Sequence, residues 1–258
     1  MLFLLDYEPE FDFITQDSII AKQQLDKESR QHSYIILCER DFYNANGELK
    51  KRKDFPSIYA TAIPIGSIQF TSSFLKIFHN IEREPALEVP EAIRMERFLK
   101  RDYQIVSKQQ FPKTGCYFIK DVSEQRSFSY IGEVSALAEA DISPIISSHY
   151  YQVSELVDII SEFRVYIIRG IIKNIVNYSG DPTVFPDIEL IREVVKTYNA
   201  SQNPIKSYSI DFMVNARGTS IIEMHSFLSL GLYWTKWDSS LLQGYIDGLE
   251  YIIQNAGN

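Results

Sequence analysis

The most constraining feature of the sequence is a pair of apolar runs that each carry a charged residue and that read as the two strands of one hairpin. Residues 208–214 and 219–224 flank Asn215-Ala216-Arg217-Gly218. Two β-rich runs joined by a short Gly-containing turn favour an antiparallel hairpin. Asp211 lies on the first strand, and Glu223 and His225 lie on the second, two residues apart. Side chains at i and i+2 share a sheet face, and a cross-strand neighbour can join them. Two carboxylates and an imidazole on one face make a divalent-metal site. The plainer alternative pairs Asp211 and Glu223 with nearby basic groups and leaves His225 as an ordinary sheet-end histidine. Glu223 follows Ile221-Ile222 directly, and a carboxylate drawn into an apolar strand is costly without a cation. That cost shifts the balance toward metal.

The same pattern recurs upstream. Residues 163–168 and 171–178 are β-rich runs linked by Arg169-Gly170, again a hairpin. Between the hairpins, Ile188, Ile191, Val194, Val195 and Tyr198 fall on one helical face. A closing helix carries Leu241, Leu242, Tyr245, Ile246, Leu249, Ile252 and Ile253 as its apolar stripe. Hairpins flanked by helices predict an antiparallel sheet with helices packed on it. Strands are also expected at 115–120 and 128–131. The N-terminal third instead alternates strand and helix: a strand at 2–5, a helix at 18–30 with Ser18 as N-cap and Leu25 inside, and a strand at 34–38 of the kind buried in a parallel sheet. Helices follow at 72–78 and 90–100, the last with Pro90 in its first turn. The pattern changes near residue 103, which divides the chain into 1–102 and 103–258.

Composition excludes several classes. The chain has 258 residues, 45% hydrophobic and 23% charged, which is ordinary globular composition. Its net charge of −8 makes it a poor candidate for sequence-independent nucleic-acid binding. Cys38 and Cys116 are too few for a disulfide framework and read as two buried reduced thiols. No run approaches the roughly 20 apolar residues that span a membrane. The N-terminus lacks a basic start and a long apolar run, so a cytoplasmic protein without membrane association is expected. His32, His79 and His149 have no ligand-like spacing, and no Ser-His-Asp or Cys-His constellation is present.

Asp211, a hydrophobic strand, a Gly-containing turn, a second strand and Glu223-x-His225 together resemble the C-terminal metal motif of the ATP-grasp superfamily, where the last residue is commonly Asn. The twelve-residue separation of the carboxylates fits. Ser226-Phe227-Leu228-Ser229-Leu230-Gly231-Leu232-Tyr233 is similar to the clade named for its one arginine and two lysines, in which Gly-Leu-Tyr follows the metal motif. Ser161-Glu162-Phe163-Arg164-Val165-Tyr166 resembles that clade's Glu-aromatic-Arg strand, and Pro64-Ile65-Gly66-Ser67 its N-terminal Pro-x-Gly-Ser segment. The matches span residues 64 to 233, and their order and spacing carry more weight than any one of them.

The resemblance implies a mixed α+β and α/β fold: a small N-terminal α/β domain, then an ATP-grasp domain with a lid at about 108–150 and a metal-bearing, antiparallel-sheet core at about 151–258. Lys120, at the end of an apolar strand, matches the lid lysine that contacts ATP phosphates; the alternative is an edge-strand lysine reaching for solvent. Arg126 stands where the clade has its second lysine, with Lys108 and Lys113 as fallbacks. Gln152, Glu155 and Leu156 fall in the adenine-binding hinge, Glu155 as a ribose contact or as a surface carboxylate. Arg164 alternates with Phe163 and Val165 and so faces the nucleotide side. It suits phosphate oxygens, or else it pairs with Glu162 or Asp211 across the sheet.

The implied chemistry is an ATP- and divalent-metal-dependent carboxylate–amine ligation through an acylphosphate, on an amino acid, a peptide or a protein terminus. Arg164 and Lys120 would act on the phosphates, and Mg2+ would sit on Asp211, Glu223 and His225. An imidazole in place of Asn leaves room for Mn2+, and its titration is expected near or below its ordinary pKa of about 6.5. Two other readings stand: a kinase on the same fold, and a nucleotide-binding module without catalysis.

Overall fold

The computed structural model describes residues 1–8, 13–82, 84, 87–122, 128–137, 149–228, 230–233 and 236–256. The N-terminal part contains β1 (Leu2–Glu8), β2 (Phe13–Ile14), α1 (Gln16–Lys27), β3 (Ser33–Cys38), β4 (Ile63–Ile65) and α2 (Ile68–His79). The apolar start of the chain becomes the central strand: β1 runs parallel to β3 and β4 and antiparallel to β2. Parallel neighbours need a crossover, which α1 supplies between β1 and β3. Ser67 caps α2 by accepting from the Phe70 amide, and Asn80 closes the helix in a left-handed conformation.

Two antiparallel sheets follow the short helix α3 (Glu96–Leu99). The first contains β5 (Tyr103–Ser107), β6 (Cys116–Asp121), β7 (Ser129–Glu133) and β8 (Tyr150–Glu155), in the order β5-β8-β6-β7, with the single turn α4 (Val134–Leu137) after β7. The second contains β9 (Ser161–Ile168), β10 (Ile171–Gly180), β11 (Ser207–Asn215) and β12 (Gly218–Ser226), in the order β10-β9-β11-β12. Both hairpins form as the turn chemistry predicts. Arg169 and Gly170 both take positive φ, the geometry of the tight two-residue turn that matches strand twist. Helix α5 (Ile188–Asn199) connects β10 to β11, and α6 (Ser240–Asn255) closes the described chain.

Alternation divides the second sheet between two cores. Val165, Ile167, Ile210, Phe212, Ile221 and Met224 face α5 and the Phe98-Leu99 turn. Tyr166, Ile168 and the segment after β12 face α6 and the N-terminal sheet, so both ends of the chain share one core. Among the described residues, no helix is long and apolar enough to cross a membrane.

Several local expectations are corrected. Helix α1 starts at Gln16 behind Thr15, and Ser18 is not its cap. Ser18 is buried, accepting from the Asp6 amide and donating to the Ile65 carbonyl, both at 2.9 Å, and so ties β1 to β4. The expected helix over 90–100 breaks into a 3-10 turn at Glu91–Ile93 and α3. The break lets Ile93, Phe98 and Leu99 all enter the α5 core. Strand β3 is parallel as expected but lies at the sheet edge, with Ile36 exposed. The thiols are free but not buried: Cys38 is half-exposed and Cys116 is exposed.

The packing of α6 generates a test. A Cβ on Gly248 would lie 2.5 Å from the Phe227 carbonyl oxygen. An ordinary helical Gly→Ala change stabilises by about 1 kcal/mol. Gly248→Ala is expected instead to lose about 1–3 kcal/mol through overpacking, read by urea unfolding. A gain in stability would contradict this close approach.

Candidate functional site

One lateral row across three strands carries the charges. Arg164 on β9 pairs with Asp211 on β11, and Asp211 pairs with Glu223 on β12. Arg164 Nε and Nη2 each donate to Asp211, at 2.8 Å, in a bidentate pair. Asp211 is 1% exposed, so the fork satisfies a carboxylate that water does not reach. The Arg164 guanidinium also lies over the rings of Tyr178 and Tyr233 at 5.6 and 5.5 Å. Those rings stack on each other at 5.0 Å and 4°. Tyr178 donates to Glu162 at 2.7 Å, and its hydroxyl lies 3.3 Å from Asp211.

Glu223 reaches this face through a bulge. Asp211 opposes Glu223 while Phe212 opposes Ile221, leaving Ile222 without a partner. In an unbroken strand Ile221 and Glu223 would share a face. The extra residue lets Ile221 stay fully buried against α5 while Glu223 turns to the opposite side.

His225 Nε2 lies 3.2 Å from Glu223 and 3.6 Å from Asp211. Lys120 Nζ on β6 lies 3.6 Å from the other Glu223 oxygen. Burial pulls the His225 pKa down, but the facing carboxylates of Asp211 and Glu223 outweigh it and hold the imidazole at about 9. The expectation of titration near or below 6.5 concerns an imidazole that ligates metal; without metal the two carboxylates hold it higher, at about 9. Burial pushes Asp211 and Glu223 up, and the cations around them bring both below their ordinary values: Arg164 and His225 for Asp211, His225 and Lys120 for Glu223.

One donor atom from each of Asp211, Glu223 and His225 lies within 4.8 Å of the other two. His225 Nε2 is buried and makes no well-aligned hydrogen bond, although it faces both carboxylates. An orphaned imidazole nitrogen between two carboxylates is a donor set that fits a divalent ion. Both Asp211 oxygens already accept from Arg164; Oδ2 also faces the Tyr178 hydroxyl, and Oδ1 keeps a lone pair for a metal.

Lys120 joins the row, and neither Lys108 nor Lys113 makes an ion pair with it among the described residues. Arg126 lies outside the described residues. Gln152, on β8, is buried beside Lys120. Leu156 is exposed just after β8. Both Glu155 oxygens accept from Arg217, at 2.6 and 2.7 Å, the structural alternative to a ribose contact. For Arg164 the structure forms the Asp211 pair. Sequence reasoning missed Tyr178 and Tyr233. Tyr178 sits at a second register shift, between Asn177 and Ser179, which no alternation pattern reveals. It also missed Asp17, which accepts from the Leu232 amide at 2.8 Å and whose carboxyl burial pushes up to about 6.

Residues 96–240 match the model of an ATP-grasp domain family, the second family of the clade named for one arginine and two lysines. No curated protein matches the chain. Among solved structures, D-cycloserine synthetase DcsG aligns with a TM-score of 0.50 at 10% identity, over 98% of this chain and 100% of that one. A RimK-domain ATP-grasp protein from Sphaerobacter thermophilus aligns at 0.49 and 11%, over 100% and 99%. D-alanine–D-alanine ligase from Bacillus anthracis, complexed with ATP, aligns at 0.47 and 12%, again over 100% and 99%. At these identities the likeness is one of fold. The family match spans more than half of the 258 residues and includes Lys120, Arg164, Asp211, Glu223 and His225; the chain belongs to the ATP-grasp superfamily, in the second family of its one-arginine, two-lysine clade.

Proposed function

We propose that this protein is an ATP- and divalent-metal-dependent ligase that joins a carboxylate to an amine, with an amino acid, a peptide or a protein terminus as substrate. The observation that carries this reading is the charge row Arg164–Asp211–Glu223–Lys120 with His225 facing both carboxylates. A carboxylate oxygen of the substrate attacks the γ-phosphorus of ATP, and ADP leaves. The amine nitrogen then attacks the acyl carbon, phosphate leaves, and the nitrogen loses a proton. Neither step needs a covalent nucleophile from the protein, which supplies positioning and charge neutralisation.

On this reading Asp211, Glu223 and His225 would hold Mg2+ or Mn2+, which would supply charge neutralisation for the phosphates of ATP. Lys120 neutralises phosphate charge from the β6 side. Arg164 holds Asp211 in place and turns its remaining N–H edge toward the Gly231 carbonyl, 3.5 Å away. Gln152 and Leu156 line the adenine hinge. The chain divides near residue 103, with the lid at about 108–150 and the metal-bearing core at about 151–258.

The test of the reaction is a mass-spectrometric screen of amine and carboxylate pairs with ADP release as readout. The ligase releases ADP in step with an amide product. A phosphorylated product formed without an amine would make the protein a kinase, and no ADP under any pair would make it a binding module.

Glu223→Gln keeps the side-chain size and is expected to abolish turnover while thermal unfolding stays near that of the wild type. Normal turnover would make Glu223 structural. Lys120→Ala is expected to raise the apparent KM for ATP about tenfold or more, the worth of one hydrogen bond to a charged group. An unchanged KM would return the lysine to solvent.

The His225 pKa of about 9 sets a pH dependence. The free imidazole is protonated near neutral pH, so a bound metal ion displaces roughly one proton. Metal affinity therefore rises with pH and levels off above about 9. Calorimetry in buffers of different ionisation enthalpy reads the released proton. His225→Asn is expected to remove that release while retaining activity with Mg2+. Equal proton release in the two proteins would place His225 outside the ligand set.

A further inference from the structure

Arg101 lies in the link between α3 and β5 and makes no ion pair with the charge row. Its guanidinium is nonetheless committed in three directions. Nε donates to the Ser154 hydroxyl on β8 at 2.8 Å. Nη1 donates to the Ile221 carbonyl at 2.5 Å and to the Leu99 carbonyl at 3.2 Å. Nη2 reaches the Ile222 carbonyl at 3.4 Å. The guanidinium also lies over the Tyr103 ring, 5.7 Å from its centroid. Among the described residues no carboxylate stands within ion-pair distance of it. Desolvating a cation is costly, and here the cost is met by main-chain carbonyls and a hydroxyl.

Two of those carbonyls, of Ile221 and Ile222, belong to the bulge. Ile221 and Ile222 are the residues at which the β11–β12 register shifts, and the shift is what turns Glu223 onto the Asp211 side. Strand β12 is the outer strand of its sheet, so among the described residues no further strand pairs with its outward carbonyls. The arginine fork takes that place. A planar fork can hold two adjacent carbonyls and a third acceptor at fixed angles, which an ammonium cannot. Ser154 is itself buried, on β8 two residues beyond Gln152. One side chain therefore ties the backbone that presents Glu223 to the sheet that carries Lys120.

We propose that Arg101 is the positioning residue for Glu223: it fixes the β12 bulge and locks it to β8, so that the carboxylate and the Lys120-bearing sheet hold one geometry around the bound ion. The proposal rests on the reading of Asp211, Glu223 and His225 as metal ligands.

The test is Mn2+ binding followed by electron paramagnetic resonance, with a non-hydrolysable ATP analogue present, alongside thermal unfolding of each variant. Arg101→Ala is expected to weaken Mn2+ binding by roughly tenfold or more, the usual effect of removing a group that orients a metal ligand. Arg101→Lys is expected to recover little of it. Ser154→Ala, which removes the Nε partner alone, is expected to give a smaller loss in the same direction and decides the matter if Arg101→Ala does not fold. Added guanidinium ion is expected to restore part of the Mn2+ affinity of Arg101→Ala. Glu223→Gln separates the two ideas. If Glu223→Gln loses Mn2+ while folded Arg101 variants and Ser154→Ala bind it like the wild type, Arg101 only stabilises the fold and the proposal falls alone. If wild type and Glu223→Gln bind Mn2+ equally, the metal-site reading falls and takes the proposal with it.

Discussion

The bidentate pair between Arg164 and Asp211 is the interaction on which the site depends. Asp211 is 1% exposed, and both its oxygens accept from one guanidinium. Removing either partner of such a pair would strand a buried charge, at a cost of about 3–5 kcal/mol. The pair is therefore a weak contributor to stability compared with an apolar substitute, yet hard to break singly. What it supplies is direction. It holds Asp211 on the face that Glu223 and His225 share, and the Tyr178–Tyr233 stack holds Arg164 in turn.

That row sits on a sheet whose two faces do different work. The α5 side is a dry apolar core, and the opposite side meets α6 and the N-terminal sheet. The charges occupy the second face, where Lys120 reaches Glu223 from β6. The bulges at Ile222 and Tyr178 make this compatible with alternation. Each inserts one residue: at Ile222 the insertion keeps Ile221 in the core while Glu223 turns to the other face, and at Tyr178 it lies between Asn177 and Ser179.

Much of this was legible in the sequence because it follows from period and turn chemistry. The hairpins at Arg169-Gly170 and at 215–218, the apolar face of α5, and the shared face of Glu223 and His225 all come from spacing alone. The side of the sheet on which Arg164 stands does too, although its partner does not. What stayed hidden was tertiary. A single inserted residue leaves no compositional mark, so neither bulge could be read. Ser18 looks like a helix cap until β1 and β4 are brought together around it. The 90–100 stretch has helical spacing but breaks to bury Ile93 and Phe98 together. The His225 pKa depends on two carboxylates within 3.6 Å, a distance that exists only once β11 and β12 pair. Arg101 carries no signal in the sequence, because the Ile221 and Ile222 carbonyls it holds lie about 120 residues away.

The central claim is that Asp211, Glu223 and His225 together hold a divalent ion under the phosphates of ATP. Anomalous diffraction from crystals grown with Mn2+ and a non-hydrolysable ATP analogue tests it most directly. A manganese peak flanked by all three side chains, with His225 Nε2 turned to the metal and the Arg164–Asp211 pair intact, is the predicted result. An ordered nucleotide whose manganese lies away from Glu223 and His225 would contradict it.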